Sequence, residues 1–214
     1  MPVQLYYITD RRQFPGDAAE QERRLLLKIA ECSAAGVNYI QLREKDLSAR
    51  ALELLAGKAM AALGGAQTRL LINSRADVAL ACGAHGVHLP GNDLHASEVR
   101  ALYARVNAAA PIIGVSAHSA AEVANAEAHG ADFAVFAPVF EKSGAANPLG
   151  LEQLRQVCHR AEAASSPIPV LALGGVTLEN ARQCVAAGAA GIAAIRLFQE
   201  NDVAAIVGKF RGMA

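Results

Sequence analysis

The run Ala35-Gly36-Val37-Asn38-Tyr39-Ile40 decides the fold, because the chain repeats its design three more times. The echoes are Cys82-Gly83-Ala84-His85-Gly86-Val87-His88-Leu89, His129-Gly130-Ala131-Asp132-Phe133-Ala134-Val135-Phe136 and Ala187-Gly188-Ala189-Ala190-Gly191-Ile192-Ala193-Ala194-Ile195. Each reads as a helix tail, a glycine suited to the left-handed position that ends a helix, and a short apolar strand. Gly36 to Gly83 and Gly83 to Gly130 each span 47 residues, and Gly130 to Gly188 spans 58. Such a spacing holds two strand–helix units, so four echoes imply eight. The intervening strands are expected at Leu5–Thr9, Arg69–Asn73, Ile112–Ser116 and Val170–Leu173. Helical patterns fall near 17–35, 48–63, 75–82, 95–108, 119–129, 150–163, 178–187 and 202–212.

The strands are nearly continuous apolar runs, as expected of a parallel sheet buried on both faces. Eight alternations without a linker predict an α/β chain with one (β/α)8 TIM barrel domain over residues 1–214. A doubly wound open sheet is the rival. It is disfavoured by the even spacing and by the lack of a Gly-x-Gly-x-x-Gly turn after the first strand.

Composition narrows the function. The chain has 214 residues, is 53% hydrophobic, and balances twenty basic against twenty acidic residues. No global field then attracts nucleic acid or an anionic membrane. No apolar stretch reaches the ~18 residues that span a bilayer, and Met1-Pro2-Val3-Gln4 leads straight into a strand rather than a signal peptide. Cys32, Cys82, Cys158 and Cys184 are scattered without metal-ligand spacing, so neither zinc nor a disulfide framework is expected. A reduced, cytoplasmic protein is the expectation. Its oligomeric state, a homodimer included, is not set by the sequence.

In a barrel of this kind, chemistry gathers where the strands end and the loops lead into helices. The second strand runs into Gln41-Leu42-Arg43-Glu44-Lys45-Asp46. Alternation puts Tyr39, Gln41, Arg43 and Lys45 on one side, so an amide, a guanidinium and an ammonium converge at the mouth. That set suits an anionic, ring-bearing ligand such as a diphosphate ester. A solvated mosaic of alternating charges is the bland alternative.

The other strand ends bring Thr9-Asp10-Arg11-Arg12, Asn73-Ser74-Arg75, His88 through Asp93, Ser116-Ala117-His118-Ser119, Glu141-Lys142-Ser143-Gly144, Gly174-Gly175-Val176-Thr177 and Ile195-Arg196-Leu197. Asn73, Ser74, Ser116 and Ser119 have helix capping as their alternative role. Gly174-Gly175 before a helix is a candidate phosphate turn, since the last two loops of these barrels often hold one. His118 is the one histidine plainly at a mouth, and His88 sits inside a strand as an interior residue. Two anion clusters emerge around one cavity. Arg43, Lys45, Asn73 and Lys142 form one, and Gly174-Gly175 with Arg196 the other. Asp93 offers a hard oxygen ligand for Mg²⁺.

Taken together, Gln41-Leu42-Arg43-Glu44-Lys45, Ile72-Asn73, Gly86-Val87-His88-Leu89, Gly114-Val115-Ser116-Ala117-His118 and Leu173-Gly174-Gly175-Val176 resemble the motif series of the thiamine-phosphate synthase family, which also holds the thiazole tautomerases. The resemblance runs in family order over residues 5–198. It implies a transferase that joins hydroxymethylpyrimidine diphosphate to thiazole phosphate and releases pyrophosphate, with Mg²⁺ as cofactor. It also implies that Gln41 touches the pyrimidine, that Arg43, Lys45, Asn73 and Ser116 hold the diphosphate, and that Gly174 and Gly175 bind the thiazole phosphate. Three positions depart from the pattern: Ser74 replaces a metal-binding Asp, Glu141-Lys142-Ser143-Gly144 replaces Thr-x-Thr-Lys, and Arg196 replaces Ser. Thiazole tautomerisation through His118, or sensing of a thiamine precursor without turnover, are the alternatives.

Overall fold

The computed structural model describes residues 2–141, 148–162 and 167–212. Eight parallel strands close on themselves in sequence order, β1 pairing with β8. They are β1 Gln4–Ile8, β2 Tyr39–Leu42, β3 Arg69–Asn73, β4 Gly86–Leu89, β5 Ile112–Ala117, β6 Phe133–Phe136, β7 Val170–Ala172 and β8 Gly191–Ala194. The helices between and after them are α1 Ala18–Ala35, α2 Ala49–Ala62, α3 Ala76–Cys82, α4 Ala96–Arg105, α5 Ala120–Ala128, α6 Gly150–Glu162, α7 Ala181–Ala186, α8 Arg196–Gln199 and α9 Val203–Arg211. The (β/α)8 barrel read from the glycine echoes is therefore the fold. Gly36 and Gly83 end α1 and α3 at φ 84° and 67°, in the left-handed region that a side chain disfavours.

Strand alternation sorts the core into two layers. Tyr6, Ile8, Leu71, Phe133, Val135, Leu171 and Ala193 point inward and plug the barrel, with Tyr39 stacked on Phe133 at 5.0 Å between ring centres. Their neighbours Leu5, Tyr7, Ile40, Leu42, Leu70 and Ile72 point outward and pack under the helices. Gly114 makes room for the plug, since a Cβ there would lie 2.5 Å from the Phe133 ring and 2.9 Å from His88 Nδ1.

Capping follows the small polar residues. Asp17, Ser48, Ser119 and Asp202 each accept a backbone N–H at the start of α1, α2, α5 and α9. Ser116, Asn73 and Ser74 cap nothing. Ser116 is bonded elsewhere, and the residue preceding α3 is Arg75.

Two elements depart from the sequence expectation near the mouth. α7 begins at Ala181 rather than at 178, because the Asn180 side chain accepts from Thr177 N and donates to Gly175 O, holding 178–180 as a turn. The four-residue α8 directly after β8 carries no apolar repeat long enough to be read from sequence. No disulfide joins the cysteines, and no helix among the described residues is long and apolar enough to cross a membrane.

Candidate active site

A cavity of about 1130 Å³ opens at the carboxyl ends of the strands. Gln41, Arg43, Lys45, Asn73, Ser116, His118, Gly174, Gly175 and Arg196 all line it, so strands 2, 3, 5, 7 and 8 deliver the expected residues to one hollow. Lys142 lies outside the described residues, while its neighbour Glu141 is on the wall. Asp93 does not line the cavity. Its carboxylate accepts from the backbone of Leu94 at 2.8 Å, a short-range bond that turns it along its own loop.

The alternating charges after β2 split into two sets. Glu44 is buried, accepting from Thr9 Oγ1 at 2.6 Å, from the Arg11 amide, and from Arg11 Nη1 at 2.9 Å. Asp46 takes the rest of the same guanidinium in a two-pronged pair at 2.8 and 2.7 Å. Thr9 Oγ1 also accepts from the amide of Arg43 at 3.0 Å. The acidic residues thus anchor the segment backward onto β1, and Arg43 and Lys45 are left on the cavity wall with no ion pair to a described residue. The charge mosaic is real, but only its acidic half is spent internally. Burial pushes the Glu44 carboxyl up, opposed by Thr9 and Arg11; the bond to Asp46 and those to Glu44 hold the Arg11 guanidinium protonated.

His118 stands at the end of β5. Its Nδ1 lies 2.6 Å from the carbonyl of Ala137, which only accepts, so Nδ1 carries a proton and, in the neutral ring, Nε2 the lone pair. Glu122 braces it by accepting from the His118 amide at 2.7 Å.

Opposite, Gly174 and Gly175 adopt φ 97° and 63°. A Cβ at Gly174 would meet Pro138 Cα at 2.7 Å, and one at Gly175 would meet Glu141 O at 2.5 Å. Only glycine fits this turn. No described residue accepts from the amides of Gly174, Gly175 or Val176, nor from those of Arg196 and Leu197 opening α8. These free amides and Arg196 line the same cavity, and are the groups from which barrels of this kind build a phosphate site after strands 7 and 8.

The floor of the cavity holds a residue whose part in it the sequence did not disclose. His88 is fully buried in β4, with Nδ1 3.1 Å from Tyr6 Oη and Nε2 2.8 Å from Ser116 Oγ. Gln41 Nε2 donates to the same Tyr6 oxygen at 3.1 Å. Burial, and then the nearby Arg43 charge, lower His88 to about 3. Its unfolded value is near the ordinary 6.5, so the neutral ring stabilises the fold fully above pH 6.5. That contribution is lost as pH falls from about 6.5 toward 3, at about 1.4 kcal/mol per pH unit. Urea unfolding between pH 6.5 and 4 is expected to show this slope, and His88→Gln to flatten it by about one proton. An equal slope in that variant would remove His88 as its source.

Thr9, Arg11 and Tyr6 are the other supports whose partners the sequence did not show. Their partners lie 35, 33 and 82 residues away in the chain. Thr9 and Arg11 were expected at the mouth, but they stand behind it, and Gln13 reaches the wall from that loop instead.

For Mg²⁺, no three His, Cys, Asp or Glu side chains converge among the described residues. The lining carboxylates include Glu122, whose Oε2 is occupied by the His118 amide. These residues do not fit a preassembled metal centre.

Comparison with known proteins agrees with this geometry. The family model described as thiamine monophosphate synthase matches residues 5–198. A putative thiamine-phosphate synthase 2 of Aquifex aeolicus is 41% identical over 198 residues, covering 92% of this chain and 97% of that one. A putative thiamine-phosphate synthase of Geobacter sulfurreducens is 42% identical over 194 residues, 89% of this chain and 84% of that one. The solved thiamine phosphate pyrophosphorylase from Pyrococcus furiosus superposes with a TM-score of 0.79 at 30% identity, covering 99% of this chain and 95% of that one. With its motifs facing one cavity and its match running from the first strand to the last, this chain belongs to the thiamine monophosphate synthase family.

Proposed function

We propose that the protein is a thiamine-phosphate diphosphorylase. It joins hydroxymethylpyrimidine diphosphate to thiazole phosphate and releases pyrophosphate. The observation that carries this reading is the pairing, in one cavity, of an unpaired cationic wall with a separate corner of free amides. Two anions that must keep apart while their rings meet need two such sites.

In the proposed reaction the methylene C–O bond of the diphosphate ester breaks, and its electron pair leaves with pyrophosphate. The thiazole nitrogen lone pair then forms the new C–N bond, so the product carries the thiazolium charge. No proton has to move. The barrier is mainly the charge that develops on the leaving group, and Arg43, Lys45 and Asn73 are proposed to neutralise it in place. Gly174, Gly175 and Arg196 are proposed to hold the thiazole phosphate, Gln41 the pyrimidine, and the Ser116 hydroxyl the diphosphate beside Arg43, Lys45 and Asn73. Lys142 is proposed as a further cation for the diphosphate. Mg²⁺ would balance the charge of the diphosphate when bound; Asp93, the carboxylate that the sequence offers for it, is off the cavity wall and does not fit as its ligand. The absence of a disulfide supports a reducing, cytoplasmic setting.

The test is to mix the pure protein with both heterocyclic phosphates and Mg²⁺, and to follow the product by mass spectrometry. Thiamine phosphate and equimolar pyrophosphate are expected. Binding of thiazole phosphate without product would indicate a sensor instead.

The lone pair left on His118 Nε2 favours a second reaction on the same cavity, proton transfer on a thiazole carboxylate phosphate. His118→Ala is then expected to stop isomerisation of that thiazole. Isomerisation at the unaltered rate would take His118 out of any such shuttle.

A further inference from the structure

Four side chains form one buried line under the cavity: Gln41, Tyr6, His88 and Ser116, linked by contacts of 3.1, 3.1 and 2.8 Å. Both ends of the line reach the cavity wall, while Tyr6 is wholly buried beneath it. Neutral imidazole has one donor and one acceptor, and a phenol donates once. The line therefore runs with all protons pointing toward Ser116 or, if the Gln41 amide is turned over so that Oε1 faces Tyr6, with all of them pointing toward Gln41.

The two polarities offer a ligand different things. If the protons run toward Gln41, Ser116 spends its hydroxyl proton on His88 and shows only lone pairs to the cavity. That would set bare oxygen against the anion that Arg43, Lys45 and Asn73 are arranged to attract. If they run toward Ser116, Gln41 Nε2 donates to Tyr6, Tyr6 donates to His88 Nδ1, and His88 Nε2–H donates to Ser116 Oγ. The serine proton is then free to point at the anion. The Gln41 Oε1, which has no described partner and is not sealed in the core, is left as an acceptor for a ring N–H. The loss of ring basicity through burial keeps the imidazole neutral, as a one-way relay requires.

We propose that Tyr6 and His88 are positioning residues that hold this relay in the direction Gln41 to Ser116, fixing an acceptor at one end of the pyrimidine pocket and a hydroxyl donor at the other. The proposal rests on the diphosphorylase reading for the identity of the ligand, but the proton positions can be read without it. The consequence for substrate is selectivity for a pyrimidine that presents an N–H edge to Gln41 over one that presents a carbonyl there.

The direct test is long-range proton–nitrogen NMR on histidine-labelled protein without ligands. His88 is expected to carry its proton on Nε2, with Nδ1 bare, throughout pH 5 to 8. A proton on Nδ1 overturns the proposal, whether or not the protein makes thiamine phosphate. Absence of turnover with the proton on Nε2 would instead overturn the diphosphorylase reading and leave the relay standing. The second arm is Tyr6→Phe, which keeps the ring and removes only the donor to Nδ1. It is expected to fold, to show mixed His88 tautomers, and to lose about tenfold or more in kcat/KM for the pyrimidine substrate, with the KM for thiazole phosphate unchanged. His88→Gln, which keeps an acceptor and a donor, is expected to retain more activity than His88→Leu. A single Nε2–H tautomer with full activity in Tyr6→Phe would show that Tyr6 positions nothing.

Discussion

Arg43→Ala is expected to lower kcat/KM for thiamine phosphate formation by about a thousandfold, on the order of 4 kcal/mol of transition-state stabilisation. The side chain lines the cavity without an ion pair to a described residue, so its charge is available to the leaving diphosphate rather than to the fold. The link to Thr9 runs through the Arg43 backbone amide, which the substitution keeps. Melting behaviour should therefore stay close to that of the parent while pyrophosphate release falls. Arg43→Lys is expected to recover only part of the loss, because an ammonium lacks the planar fork that meets two phosphate oxygens. Normal pyrophosphate release from Arg43→Ala would remove this residue from the mechanism.

Arg11→Met is expected to act the other way round, through stability. The Glu44 side chain is 1% exposed and that of Arg11 11%, so loss of the guanidinium leaves a carboxylate in the interior with no cation. Breaking a buried pair by removing one partner costs about 3–5 kcal/mol. That is a large share of the 5–15 kcal/mol by which domains are usually stable. The urea midpoint should fall accordingly with the m-value unchanged. Arg11→Met combined with Glu44→Gln should recover part of the loss, since the uncompensated charge is gone and Thr9 can still donate to the amide oxygen. An unaltered midpoint in Arg11→Met would mean that the pair contributes nothing to the fold. A drop in activity at temperatures where the variant is still folded would show that Arg11 also keeps Arg43 and Lys45 at the cavity, through the segment that Glu44 anchors.

The sequence shows what is local and periodic. Glycine after a helix tail and a β-branched run after the glycine are signals within ten residues of each other, and they repeat, so the barrel could be read before any contact was known. Gln41, Arg43 and Lys45 were legible for the same reason, because strand alternation carries their direction. The Arg11–Glu44 pair could not be read, because nothing within either segment says that residues 33 apart share a buried bond. The His88 line is harder still, since Tyr6 comes from 82 residues away and looks like one more core aromatic. Asp93 failed as a cavity residue for the opposite reason: a bond to the next amide in the chain captured it. α8 is a single turn whose formation depends on where β8 ends, and it supplies two of the five free amides without a pattern of its own.

A crystal structure with thiamine phosphate and pyrophosphate bound tests the central claim most directly. Pyrophosphate is expected within hydrogen-bond reach of Arg43, Lys45 and Asn73, with the product phosphate on the amides of Gly174, Gly175 and Val176. Both groups crowded onto one wall, or a product lying outside the hollow between β2 and β7, would contradict it.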